Sequence, residues 1–528
     1  MEVIKFYKAL CFLILLIGCS PEKRQEEDLR IMGNLMQGEH TVGYQTLFVY
    51  DKTRPGVPFS DWDGRLNRNH DKKKGRQFQI NLWFPAATGT GRPMSFSSYI
   101  HLNGQHTSFE VSEAQQRFGE ELYISNTNDL AGNELFTRNE LEKLMQLKVV
   151  SRLNAKPQNG SFPIVLIPGG TPAANHSILA EYLAGRGYVV AGFSPKGRYS
   201  SGLEISTIGL ETGADDLEFV LGQLSQLPFV DLNQIAIVAN AISSSVGALA
   251  VCKNVGIKAL VSLEGGLPSA FEQRLLSKSV FYAPENFRTP TLFIYAPHPA
   301  IDPKYTFHLK YSERYYAHFP NMSEFAMLNY GMFDSIVPGI IGEHEGGTQK
   351  GFETAVRLVH RFLNKTLKGE NEALFSDDFM NAADGIIDTT FIHKALPPPP
   401  NMADLKGIFV EKGFAAIDSI YRELVQSGNP TPFSQPFFTD FRDWLSWKKD
   451  PEYVNRKKLY EIGLECYPES ATTNFYAGYY GEKTNDMELM KKGYTKAIAL
   501  IENNADQSLS DSERQAILKN AESALAGI

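Results

Sequence analysis

Cysteine is scarce in this sequence. Only four occur in 528 residues, and two of them, Cys11 and Cys19, fall inside a short apolar stretch at the start of the chain. Cys252 and Cys466 remain, in segments that read as different domains. The sequence therefore offers neither a disulfide framework nor zinc-ligand spacing, and a packed core must hold the fold. Basic charge is also in short supply. The 52 Lys and Arg against 60 Asp and Glu leave a net charge of −8, which argues against nucleic acid as a partner. A second long apolar run is missing, and a mean hydropathy of −0.25 excludes a polytopic membrane protein. What is present is 43% hydrophobic and 21% charged residues, the composition of a globular protein. At roughly 100–200 residues per domain the chain has room for about two to four domains.

The apolar stretch at the start has the layout of an export signal. Lys5 and Lys8 make a short basic region and residues 9–18 an apolar one, too short to span a bilayer comfortably. It ends in Leu16-Ile17-Gly18-Cys19, which resembles the lipobox of bacterial lipoproteins. The resemblance implies a signal peptide over 1–18 and acylation of Cys19, which becomes the first residue of a mature chain of 510, the 528 less those 18. The bilayer is then a partner through Cys19. Ser20 in place of an aspartate implies the outer membrane as the destination in the cell envelope. An uncleaved anchor or an ordinary signal peptide is the alternative. Residues 19–41, polar and charged, read as a tether.

Beyond the tether, residues 46–50 and 78–84 alternate as strands. Residues 87–155 are undecided apart from a helical stretch at 139–151. After Gly160 strands and helices alternate: strand 163–168, the turn Gly169-Gly170, helix 178–186, strand 188–193, helix 212–224, strand 234–239, helix 246–254, then strands 259–263 and 291–295. This order predicts a mostly parallel sheet with helices on both faces. A last strand at 324–329 and an amphipathic helix at 351–367 complete an α/β domain over 42–395. Pro397 to Pro400 mark a stiff linker over 396–402. Everything from 403 to 528 is helical in pattern. Tyr460, Gly463 and Pro468 are followed 34 residues after Tyr460 by Tyr494, with Ala497, and this period is similar to the tetratricopeptide repeat. Gly478, Asp486, Tyr494 and Ala497 carry the small–aromatic–small spacing. Met490 and Gly481 depart from it. The resemblance implies a protein or peptide partner on this domain.

The α/β block resembles the α/β-hydrolase superfamily, in its dienelactone hydrolase and platelet-activating-factor acetylhydrolase branch, over about residues 45–368. Phe162 through Gly170 matches the strand and loop that carry oxyanion donors, Gly169 and Gly170 among them. Residues 178–190 match the helix and strand that follow, and Asp51 to Pro55 and Ile80 to Pro85 the entry strands. The family's nucleophile elbow, G-H-S-x-G-G, falls without gaps on Ala239-Asn240-Ala241-Ile242-Ser243-Ser244. Small residues meet the turn's steric demand, but the nucleophile position is Ala241. Ile242 follows it as the second oxyanion donor. The acid position is Glu264, in Leu263-Glu264-Gly265-Gly266. The base histidine of the G-x-H-x-x-F turn falls on Met332. Alanine has no group to attack a carbonyl and a thioether takes no proton at neutral pH. The resemblance then implies a pseudo-hydrolase that binds a small acyl or ester-like ligand. No cofactor and no metal are implied.

A second reading shifts the elbow by two residues, to Ala241-Ile242-Ser243-Ser244-Ser245, and makes the chain a serine esterase or lactonase with Ser243, or Ser244, as nucleophile. Its base would come from His298 or His344. The three serines equally suit the opening of a helix at Val246. Asp302 is an alternative acid. His298 with Asp302 reads as loop rather than metal ligands, His344 as a solvated turn, and Asp71 to Lys74 as a charged loop tip.

Overall fold

The structure, a computed structural model, describes residues 30–54, 75–104, 109, 112–170, 172–198, 202–341, 347–448, 450–506 and 509–527. The signal segment 1–18, Cys19, Asp71 to Lys74 and His344 lie outside the described residues. By contact the chain divides into two units, Met1–His393 and Lys394–Ile528.

The first unit is built on an eleven-stranded sheet, β1 (Thr41–Asp51), β2 (Arg76–Ala86), β3 (Arg92–Ser95), β4 (Lys148–Leu153), β5 (Phe162–Pro168), β6 (Val189–Phe193), β7 (Val230–Asn240), β8 (Ile257–Leu263), β9 (Thr291–Tyr295), β10 (Arg314–His318) and β11 (Thr389–His393). The spatial order is β11-β10-β9-β8-β7-β5-β6-β2-β1-β4-β3. From β6 to β10 neighbours run parallel. β2 and β11 close that block in antiparallel pairings. Strands such as Ile164 to Ile167 and Ile235 to Ala239 are apolar at successive positions because both faces of the sheet are covered. On one face the Pro172–Ala184 and Thr348–Leu367 helices pack over Val165, Ile167, Val238 and Val261. On the other, Thr207–Leu224 and Ser243–Lys253 pack over Ile164, Leu166, Ile237 and Leu260. This is the mostly parallel, helix-covered sheet of the α/β-hydrolase fold class, followed by an all-helical unit.

Three local expectations are corrected. Residues 324–329 form no strand. A 3-10 turn occupies Phe325–Met327, and the last parallel strand is β10, Arg314–His318. A short buried apolar run does not distinguish strand from turn by periodicity. β10 was hidden by Arg314, whose guanidinium is buried and donates to the carbonyls of Thr306, Phe307 and Ser312. The helical stretch expected at 139–151 is a helix only over Arg138–Met145, after which β4 takes up Val149 and Ser151 as alternate buried positions. Residues 30–40, counted within the tether, pack on the domain. Ile31, Met32 and Leu35 are buried, and Asn34 donates to Glu353 Oε1.

In the second unit the helices are Met402–Lys412, Phe414–Gln426, Gln435–Lys448, Val454–Cys466, Ala471–Lys483, Met487–Glu502 and Asp511–Ala526. Its core is aromatic, with Tyr421, Phe433, Phe437, Phe441, Tyr460 and Tyr480 in one cluster. The Ala471–Lys483 and Met487–Glu502 helices meet where side chains are absent. A Cβ on Gly493 would lie 2.5 Å from the Gly478 backbone nitrogen.

Candidate active-site cleft

β7 runs out at Asn240, and the helix that follows starts at Ser243. Between them Ala241 has φ +46, a left-handed conformation uncommon for a residue with a Cβ. Its N–H donates to Leu263 O at 3.0 Å and Glu264 O at 2.9 Å, and its carbonyl accepts from Ser244 N–H at 2.8 Å. Ser244 Oγ is turned back to Ala239 O at 3.1 Å. Ser243 is buried in the first turn of the helix, two residues past the left-handed position.

The opposing wall is the turn after β8. Glu264, Gly265 and Gly266 have φ +35, +73 and +69, and the two glycines let backbone approach backbone. A Cβ on Gly265 would sit 3.3 Å from Ala241 Cα. One on Gly266 would sit 2.5 Å from Ser244 Cβ and 2.6 Å from Ala241 O. Ala241, Ile242, Ser243 and Glu264 are thus brought together by these two turns. Glu264 is 5% exposed, and burial, helped by the charge of Glu324, pushes its carboxyl up to about 7. Glu272 is pushed up to about 8 by burial and by Glu324 and Glu264. Glu324 is raised by burial, with His298 opposing. The corner beside Ala241 therefore holds carboxyl groups that resist ionisation.

Met332 is not placed against that corner by any contact of the described residues. It lies in the Tyr330–Phe333 helix, fully buried in the core, with its sulfur 2.9 Å from where a Cβ of Gly33 would be. The residue of this turn that reaches the Pro172–Ala184 helix, which follows β5, is Asn329. Its Nδ2 donates to Ala174 O at 2.7 Å and Ser177 Oγ at 2.9 Å, and its Oδ1 accepts from Ile178 N–H at 3.3 Å. Sequence reasoning passed over Asn329. The available signal was one amide inside the apolar run 326–333.

Gly169 and Gly170 stand at the end of β5, the neighbour of β7. Gly169 N–H is taken by Phe193 O at 3.0 Å. His176 packs beside this loop, its Nε2 3.3 Å from a Cβ on Gly169, and burial pushes its imidazole down to about 4, so it is neutral at pH 7. Gly170 lines a cavity of about 200 Å³ together with Gln79, Asn81, Asn126, Ser194 and Lys196. Ala241 and Glu264 are not among the described residues that line it. Lys196 Nζ donates to Gln77 O at 2.8 Å, and burial with the nearby Arg76 charge lowers it to about 8, opposed by Asp216. Behind it Arg76 binds Asp216 through two hydrogen bonds of 2.8 and 2.7 Å, and Arg54 meets the same carboxylate at 2.9 Å. This buried network was also missed. Asp216 is the lone carboxylate on the otherwise apolar buried face of its helix.

The remaining sequence candidates lie on the loop after β9, which meets the far side of the β8 turn where Asp302 N–H donates to Pro268 O at 2.9 Å. His298 is exposed, its Nδ1 accepting from Ala300 N–H at 3.1 Å. Asp302 caps its own turn through Lys304 N–H at 2.9 Å and pairs with Lys304 Nζ at 2.6 Å. Among the described residues no group of three His, Cys, Asp or Glu side chains is arranged to hold a metal ion.

No family model and no curated protein matches the sequence. Among solved structures, a ferulic acid esterase from Streptomyces cinnamoneus aligns over 67% of this chain and 96% of its own, at 17% identity and TM-score 0.44. An acylaminoacyl peptidase from Pyrococcus horikoshii aligns over 42% of this chain and 40% of its own, at 16% identity and TM-score 0.32.

Proposed function

We propose that the α/β unit is a non-catalytic hydrolase-fold protein that binds a small acyl or ester-like ligand, carried on the cell-envelope membrane by acylated Cys19. The helical unit would serve a protein or peptide partner. One observation carries this reading: the left-handed strand-to-helix turn falls on Ala241, a residue without a nucleophile. In a serine hydrolase the residue at that tip attacks the carbonyl, and loss of the serine costs on the order of 10⁶ in turnover in the protease case. Ser243, the nucleophile of the rival esterase reading, belongs to the helix rather than the turn. No histidine among the described residues hydrogen-bonds to it.

The test is fluorophosphonate labelling of the full chain, with p-nitrophenyl acetate and butyrate turnover measured alongside. The expected result is no label, and turnover equal to that of Ser243→Ala and Ser244→Ala. Labelling that disappears in either variant overturns the proposal and names the nucleophile. Fractionating the same cells reads the anchor. The chain should sediment with membranes and Cys19→Ala should not; equal sedimentation of both rejects acylation as the tie.

A further inference from the structure

β5, β6 and β7 run parallel toward Gly169, Ser194 and Ala241, so the end of the sheet opposite the elbow is where these strands begin. At that end residues 37–40 and the final turns of the Pro172–Ala184 and Thr348–Leu367 helices form an open cavity of about 420 Å³. Gln37, His40, Arg186, His360, Asn364 and Lys368 line it. None of these residues belongs to the two turns that meet at Ala241.

The cavity gathers positive charge that the protein does not neutralise. Arg186 donates to Tyr182 O at 3.2 Å and Met36 O at 2.9 Å, which occupies two of the five N–H groups of a guanidinium. Lys368 donates once, to Arg186 O at 2.8 Å, out of three. These bonds tie down a helix-end carbonyl and the strap 30–40, and leave capacity on both cations. Neither cation forms an ion pair with a carboxylate among the described residues. Glu39 lines the cavity, exposed, and Glu370 acts on Lys368 from two residues further along, without closing such a pair.

Aromatic rings hold the two cations in place. The Arg186 guanidinium lies 3.6 Å from the Tyr182 ring centroid and Lys368 Nζ 4.1 Å from that of Tyr188. His360 stands edge-on to both rings. Burial, then the charges of Arg186, Lys368 and Arg361, push its imidazole down to about 3, so it is neutral and adds no third cation to the cavity. Tyr188 donates to Asn364 Oδ1 at 2.6 Å, which leaves the Asn364 amide nitrogen free to donate. The donors come from two helix ends. A planar fork, an ammonium and an amide arranged around one hollow suit a tetrahedral oxyanion with several acceptor oxygens.

We propose that this cavity binds a phosphate group through Arg186, Lys368 and Asn364, supplied either by free phosphate or by the headgroup of an anionic phospholipid. Bound to a headgroup, the domain presents its strand-starting end to the bilayer and turns the Ala241 edge toward solvent. The proposal does not depend on whether that edge is catalytic.

The test takes the chain carrying Cys19→Ala, so that acylation cannot carry it to vesicles, alone and with Lys368→Glu, Arg186→Gln or, as a charge-matched control, Lys258→Glu at an exposed site. Calorimetric titration uses inorganic phosphate and glycerol 3-phosphate. Flotation uses phosphatidylcholine vesicles with and without phosphatidylglycerol. Affinity should fall about tenfold or more in the two cavity variants, one charge-assisted bond being lost in each, and stay unchanged in the control. Titration by phosphate in solution identifies a soluble ligand. Phosphatidylglycerol-dependent flotation without solution binding identifies the headgroup. Absence of both, or equal loss in Lys258→Glu, overturns the proposal. Lys368 is exposed, so its charge reversal tests the site even where Arg186→Gln disturbs the strap.

Discussion

Glu264 combines three costs in one residue: a left-handed backbone, a buried carboxyl and neighbouring carboxylates. Its ordinary value of 4.5 is raised to about 7, so between those two pH values the folded chain holds a proton that the unfolded chain releases. The sign follows from linkage. Below about 4.5 both states are protonated and the group costs little; between about 4.5 and 7 only the unfolded chain ionises, so stability falls with rising pH and levels off once the buried carboxyl ionises above about 7. Glu264→Gln removes the ionisation and keeps the shape. Relative to the parent chain the variant should gain roughly 2–3 kcal/mol between pH 5 and pH 8, read by urea unfolding at the two pH values. A constant difference across that range would show that the carboxyl is not held in its neutral form. Glu272, raised by the same neighbours, should keep part of the parent's pH dependence in the variant.

At the scale of elements, the site is two turns pressed together, the end of β7 and the end of β8, and glycine makes the contact possible. At Gly266 both the φ of +69 and the 2.5 Å approach of a Cβ to Ser244 oppose any larger residue. Gly266→Ala should therefore cost about 2–4 kcal/mol, from overpacking and backbone strain together. Gly339→Ala, at φ +82 in open space, should cost only about 1 kcal/mol from the backbone alone. Thermal unfolding of the pair separates packing from strain, and equal losses would reject the close-approach account. The parallel strands were legible because they are apolar runs at crossover spacing, and the tight strand-to-helix turn because Ala239, Ala241 and Ser243 are small at the positions such a turn demands. β10 was not, since Arg314 breaks the apolar run and finds its partners in the carbonyls of the turn just before the strand, Thr306, Phe307 and Ser312. The Arg76–Asp216 network and the Asn329 link were invisible for a different reason. Each joins residues more than 100 positions apart, and single-sequence periodicity carries no information about such pairs.

At the scale of the whole molecule, the break at residue 393/394 separates two hydrophobic cores rather than two halves of one. The core of the helical unit, from Leu405 to Tyr480, contains no residue of the α/β unit. A chain segment with its own core folds on its own and melts cooperatively. Residues 394–528 expressed alone should give a helical far-UV spectrum whose thermal loss coincides with loss of the near-UV aromatic signal. Phe441 supplies the sharper test. It is fully buried and packs against Phe409, Phe437 and Trp444, so Phe441→Ala should remove about 3–5 kcal/mol. Domains of this size have roughly 5–15 kcal/mol to lose, so the variant sits near the edge of folding. If the units are energetically independent, the loss is the same in the isolated segment and in the helical transition of the full chain. A smaller loss in the full chain would mean that the α/β unit lends the helical one stability, and that the boundary divides contacts but not cooperativity.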